Sequence, residues 1–321
     1  MDITVIGCGR WGSLITWYLD HIGHRVTLYG RATSPRMQSF LATRQNDLLT
    51  LPPSVALSTD LPAALDGAET VIISIGSQGL RKLLTQPELQ TLRDRTVVLC
   101  MKGLEMGTGA RLSQIAAECL HPSNTVAVWL GPGHVQEFYR GIPNCMVIDS
   151  ENDDAKRRLV HAFSSVLIRF YYGGDMIGNE VGAAAKNVVG IAAGFLDGFE
   201  MSSLKGALMS RGTREVARLI KAMGGSELSA YGLCHLGDYE ATVFSPYSHN
   251  RQFGEAFVRG QDYHQLAEGY YTVKALMLLG QRYGVELPIC RAVHNILYEQ
   301  AVPRDVLDGL LRRGLTEEFY D

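Results

Sequence analysis

The sequence predicts an α/β Rossmann domain with a doubly wound, mostly parallel sheet, followed by an all-α domain. Three observations predict it. Short apolar, β-branched runs alternate with helical patterns through the first half. A Gly7-Cys8-Gly9-Arg10-Trp11-Gly12 motif stands between the first such run and the first helical pattern. The strand pattern stops near residue 175, and long helical periodicities take over. These features place a Rossmann domain at 1–177 and a helical domain at 178–321.

Strands are expected at 3–6, 25–29, 70–75, 96–101 and 125–130. Most are almost continuously apolar, as strands buried on both faces of a parallel sheet must be. Helices fit between them, at 11–22 and 62–65 for example. Beyond 178, helical periodicity predicts 179–196, 203–223, 262–283 and 288–298, then a polar helical tail. Gly173-Gly174 and Gly224-Gly225 read as hinge or cap positions.

Composition narrows the function. The chain has 321 residues, enough for two cores, with 46% hydrophobic and 20% charged residues. A net charge of −3 argues against nucleic acid as a partner, so any anionic ligand needs locally placed donors. The six cysteines form no C-x-x-C pair, which argues against a zinc site or disulfide framework and fits reduced thiols in the cytoplasm. No metal is expected. No apolar run reaches membrane-spanning length, and Asp2-Ile3-Thr4 enters a strand with no basic leader, so neither insertion nor a signal peptide is expected.

Four motifs carry chemistry. In the first, Gly7 permits a tight turn, Gly9 lets a pyrophosphate approach the backbone, and Gly12 lets helix and strand pack closely. The helix that follows offers free N–H groups and its positive dipole end to phosphates. The second strand ends in Tyr29-Gly30-Arg31, where an NAD site usually carries an acid for the ribose 2′-hydroxyl. No carboxylate stands there to repel a 2′-phosphate, and Arg31 can pair with one, which favours NADP(H) over NAD(H).

The second motif, Lys102-Gly103-Leu104-Glu105, lies at the carboxyl end of a buried strand, where open α/β sheets bind ligands. The third is a small, apolar helix from Glu180 to Gly194 with Lys186 as its one cation. A buried lysine without a partner tends to lose its proton, which suits it to proton transfer near neutral pH. The fourth is Gly237-Asp238-Tyr239 with the donor-rich stretch from Ser245 to Gly254. It suits a small anion and an oriented lysine, and it reads equally well as a solvated loop.

These blocks, in this order, resemble the soluble NAD(P)-dependent glycerol-3-phosphate dehydrogenase family over nearly the whole chain. The resemblance also rests on Gly131-Pro132, Arg211-Gly212, Glu268-Gly269 and the run from Tyr283 to Ile289. It implies reversible hydride transfer at C2 between dihydroxyacetone phosphate and sn-glycerol 3-phosphate, feeding glycerophospholipid synthesis. It also implies a homodimer. Lys186 matches the general acid/base, Lys102 a lysine on cofactor and substrate, and Asp238 the acid holding the lysine and a substrate hydroxyl. Gly131, Gly133, Ser248, His249 and Asn250 match substrate positions. Cofactor contacts are implied at Gly7, Gly9, Arg10, Trp11, Gly12, Arg31, Lys102, Val135 and Glu268.

Two departures bear on the substrate. The family's Ser-Arg-Asn is Ser248-His249-Asn250 here, and its Gly-Pro-Ser-Phe-Ala is Gly131-Pro132-Gly133-His134-Val135. A lost charge-assisted hydrogen bond is worth roughly 1.5–3 kcal/mol. If His249 and His134, with Arg251, take over the phosphate, substrate KM rises between about pH 6 and 8. The alternatives are a related small 2-keto or 2-hydroxy substrate, or a non-catalytic NADP(H)-binding protein. Retention of the lysines and the acid argues against a pure binder.

Overall fold

Eight strands make one sheet in the first half of the chain: β1 (Asp2–Ile6), β2 (Arg25–Tyr29), β3 (Ala56–Ser58), β4 (Thr70–Ile73), β5 (Thr96–Leu99), β6 (Thr125–Leu130), β7 (Asn144–Ser150) and β8 (Ile168–Tyr172). The computed structural model describes residues 1–312, 314, 317 and 318. Sheet order is β3-β2-β1-β4-β5-β6-β7-β8. All neighbours are parallel except β6 and β7. The order reverses between β1 and β4, the switch point at which open sheets take ligands. The five expected strands are present. Sequence reading missed β3, which has three residues, and β7 and β8. β8 alternates buried Ile168 and Phe170 with exposed Arg169 and Tyr171, the pattern of an edge.

Helices α1 (Arg10–His21), α2 (Pro35–Thr43), α3 (Leu61–Leu65), α4 (Leu80–Leu84), α5 (Pro87–Gln90), α6 (Leu112–Cys119), α7 (Val135–Tyr139) and α8 (Asp153–Phe163) complete this unit. Its core includes the buried Tyr18, Trp129, Phe163 and Phe170, with the Trp129 and Phe170 rings edge-on at 4.9 Å.

The chain divides into two units: Met1–Met101 with Leu112–Met176, and Lys102–Arg111 with Ile177–Asp321. The expected division at 177/178 differs from this by one residue and by one segment. Segment Lys102–Arg111 leaves the sheet unit and packs with the helices, because Leu104 is fully buried in the helical core.

The second unit holds α9 (Met176–Gly198), α10 (Lys205–Ala222), α11 (His249–Val258), α12 (Glu268–Tyr283), α13 (Pro288–Tyr298) and α14 (Pro303–Leu311). The expected helix 262–283 starts later, at Glu268. Tyr263 explains the delay. Its hydroxyl is hydrogen-bonded to His249 Nδ1 (2.6 Å) and to Gln252 (3.2 Å), which holds 261–267 as a loop over α11. The tail expected after 298 is helical as α14, and part of the remainder lies outside the described residues.

The small residues of α9 have a packing reason. A Cβ at Gly194 would lie 2.1 Å from the Arg251 carbonyl oxygen, and one at Gly254 would lie 2.2 Å from that of Ile191. Helices α9 and α11 therefore touch backbone to backbone. This close approach fixes the residues at the start of α11 relative to α9.

Candidate functional site

The glycine loop joins β1 to α1. Gly7 has φ +116, and a Cβ there would sit 2.1 Å from the Ser74 carbonyl oxygen. A Cβ on Gly12 would lie 1.9 Å from the Gly7 carbonyl oxygen. Both positions thus require glycine for the turn and for helix–strand contact. Gly9 is different. It is the N-cap of α1, and a Cβ there would meet only Arg36 Nη1, at 3.8 Å. The loop backbone is open on that side, the first turn of α1 carries no acid, and a guanidinium stands beside it. This arrangement fits a pyrophosphate. Arg10 and Trp11 are half-buried in the first turn of α1, and Arg31 is exposed beyond β2. Arg36, at the start of α2, was not singled out from the sequence. Only its position after an N-capping Ser34 hints at it.

In the helical unit, three side chains distant in sequence converge. Asp238 Oδ2 accepts from Lys186 Nζ at 2.7 Å and from Lys102 Nζ at 2.7 Å. Lys186 also donates to Thr242 Oγ1 (2.7 Å), whose hydroxyl donates to the Asp238 carbonyl (2.7 Å). The helix by itself suggested a buried lysine without a partner, and the family resemblance implied that Asp238 holds it. Lys186 is buried and paired with Asp238 and Thr242. Burial pushes its pKa down, Asp238 pulls it partway back, and the Lys102 ammonium lowers it again, leaving it at about 8. Asp238 is 1% exposed, and its Oδ1 has no hydrogen-bond partner among the described residues. Thr242 was missed, although its spacing of four from Asp238 places it on the same side of one turn.

Behind Lys186 lies His235, fully buried. Its Nδ1–H donates to the Gly182 carbonyl (2.8 Å), so its Nε2 accepts from the Tyr239 hydroxyl (2.7 Å). Burial pushes its pKa down to about 4, which keeps the ring neutral.

The substrate-loop positions lie at the start of α11. Ser248 caps that helix by accepting from Arg251 N (3.3 Å). His249 is paired with Tyr263. Asn250 bridges two elements. Its Nδ2 donates to Asn187 Oδ1 (3.0 Å), and its Oδ1 accepts from Gly269 N at the start of α12, beside Glu268 (2.9 Å). Asn187 in turn donates to the Lys102 carbonyl (2.9 Å). Arg251, considered as a phosphate ligand, is committed elsewhere, to Asp197 (2.8 Å), Glu255 (2.9 Å) and the Ser245 carbonyl (3.1 Å).

Gly131, Gly133 and Val135 follow β6 in the sheet unit, with Val135 buried at the start of α7. Gly133 has φ +140, and a Cβ there would lie 2.2 Å from the Phe138 ring. The family serine cannot be accommodated at this position while Phe138 fills the space. Among the described residues, no group of three or more His, Cys, Asp or Glu side chains is placed to hold a metal. No helix among them is long and apolar enough to cross a membrane.

Comparison with known proteins agrees with this geometry. The N-terminal model of the NAD-dependent glycerol-3-phosphate dehydrogenase family matches residues 2–156, and the C-terminal model matches 175–308. The chain is 33% identical to the glycerol-3-phosphate dehydrogenase [NAD(P)+] of Prosthecochloris aestuarii over 99% of its length and 100% of that protein's. It is 32% identical to the enzyme of the same name from a Thermoanaerobacter species, over 100% and 99% of the two chains. Among solved structures, it is similar to glycerol-3-phosphate dehydrogenase from Coxiella burnetii, with a TM-score of 0.89 and 28% identity over 97% and 99% of the two chains. Family models that match residues 2–156 and 175–308, with relatives above 30% identical over the whole chain, show that the chain belongs to the NAD-dependent glycerol-3-phosphate dehydrogenase family.

Proposed function

We propose that this protein reduces dihydroxyacetone phosphate at C2 to sn-glycerol 3-phosphate, reversibly, with NADPH preferred to NADH. The observation that carries the reading is the Lys186–Asp238–Lys102 cluster with Asp238 Oδ1 unpartnered. The nicotinamide supplies the hydride when bound. Lys186, protonated below about pH 8, gives its proton to the C2 oxygen as that oxygen gains charge. Lys102 stabilises the same developing charge. Asp238 holds both ammonium groups on Oδ2 and offers Oδ1 to a substrate hydroxyl. Thr242 orients Lys186. In reverse, neutral Lys186 takes the alcohol proton.

His249, in the first turn of α11, stands where the family carries arginine, and we assign it to the substrate phosphate together with the N–H groups of that turn. Arg31, with Arg36 beside Gly9, supports the NADP(H) preference, and Gly7, Gly9, Arg10, Trp11, Gly12, Lys102, Val135 and Glu268 complete the proposed cofactor contacts. The resemblance supports a homodimer. The six cysteines, all free, support a cytoplasmic setting. The lysine–aspartate cluster argues against a binding-only protein.

The test is NADPH oxidation at 340 nm with dihydroxyacetone phosphate, in wild type and in Lys186→Ala. The expected outcome is turnover in wild type that falls about 10³-fold in the variant. Tight NADPH binding without turnover would overturn the substrate assignment and leave the cofactor assignment standing.

A further inference from the structure

The segment that carries Lys102 is fastened to α9 at both ends. At one end, Asn187 Nδ2 donates to the Lys102 carbonyl (2.9 Å). At the other, Arg111 Nη1 is 2.5 Å from Glu180 Oε2, with side chains only 11% and 4% exposed. Between the ends, Leu104 and Arg111 form an antiparallel bridge, and Leu104 is fully buried. Arg282 of α12 also donates to the Thr108 carbonyl (2.9 Å).

The two anchors on α9 are seven residues apart, about 20° short of two full turns and roughly 10 Å along the axis. They therefore share one face of a single rigid helix. The same helix presents Lys186 next to Asn187. One element thus sets the distance between the two lysines.

We propose that Glu180 and Arg111 are positioning residues, whose ion pair holds the 102–111 segment so that the Lys102 ammonium meets Asp238 beside Lys186. This rests on the reading of Lys102 and Lys186 as the reacting pair. The Leu104–Arg111 bridge carries the anchor to within two residues of Lys102. If the pair is lost, the segment loses its anchor at Arg111, and the Lys102 ammonium shifts away from Asp238 Oδ2. The charged and titratable groups around Lys186 are Asp238, Lys102 and the neutral His235 behind it. Withdrawal of Lys102 removes the like charge, so Lys186 holds its proton to higher pH.

The experiment reads Lys186 without substrate. Its titration is followed by NMR at the lysine Cε in the full-length protein, for wild type, Glu180→Gln, and the paired variant Glu180→Leu with Arg111→Met. The paired variant leaves no charge buried alone and decides the matter if Glu180→Gln melts. The expected result is a midpoint near 8 in wild type and about one unit higher in the variants, with KM for dihydroxyacetone phosphate raised about tenfold. A folded paired variant with the wild-type midpoint and KM would overturn the proposal. If wild type reduces no dihydroxyacetone phosphate while the midpoint still moves, the positioning role stands and the substrate assignment fails.

Discussion

The two units prepare for chemistry in opposite ways. In the sheet unit, the work falls to backbone. A turn at Gly7, an uncapped helix start at Gly9 and a close contact at Gly12 present N–H groups with almost no side chain committed. In the helical unit, it falls to side chains. Lys102, Lys186 and the turn that carries Asp238 and Thr242 come from separate stretches and meet only after α9 is buried. Backbone sites depend on a local run of residues, whereas side-chain sites depend on helices placed to within a fraction of an ångström.

The largest expected effect tests this contrast directly. Lys186→Ala removes the proton donor and lowers kcat about 10³-fold while NADPH still binds. A matching loss of NADPH affinity, measured by calorimetry, would mean that Lys186 also holds the cofactor.

The second effect belongs to His235. Its unfolded pKa is 6.5 and its folded value about 4, so between these values the unfolded chain takes up a proton that the folded chain refuses. Stability is therefore full above about pH 6.5 and falls as pH drops toward 4, by about 3 kcal/mol at 1.36 kcal/mol per unit. Denaturant titrations at pH 7 and pH 4.5 should give a smaller loss for His235→Asn than for wild type. Equal losses would show that this ring does not titrate as its burial demands.

The mirror image of Lys186→Ala is Gly12→Ala. The new methyl must displace the Gly7 carbonyl, at a cost of about 1–3 kcal/mol. NADPH binding should weaken at least about tenfold, and the Lys186 titration should not move. The smallest effect is at Arg31, which is exposed. Arg31→Ala should cost NADPH about 0.5–1 kcal/mol, or two- to fivefold, and cost NADH nothing. Equal losses for both cofactors would remove Arg31 from 2′-phosphate recognition.

How much was legible followed the same divide. The glycine motif could be read because every residue that matters lies within six positions and between a strand and a helix. Lys186 stood out as a cation in an apolar helix and Asp238 through the family resemblance, whereas Thr242, more than fifty residues from Lys186, did not. Glu180 and Arg111 carry no local signal, because their value depends on a segment leaving the sheet unit. The late start of α12 was missed because a tertiary hydrogen bond from His249 to Tyr263 overrode a helical pattern.

The sequence by itself determined the alternation of strands and helices, the dinucleotide loop and the family, because each is written in short-range pattern and motif order. Tertiary structure alone decided that Thr242 also holds Lys186, that Arg251 is spoken for by Asp197 and Glu255, and that Gly133 makes room for Phe138. Those facts depend on which side chains long-range packing brings within a few ångströms, and burial then sets their charge.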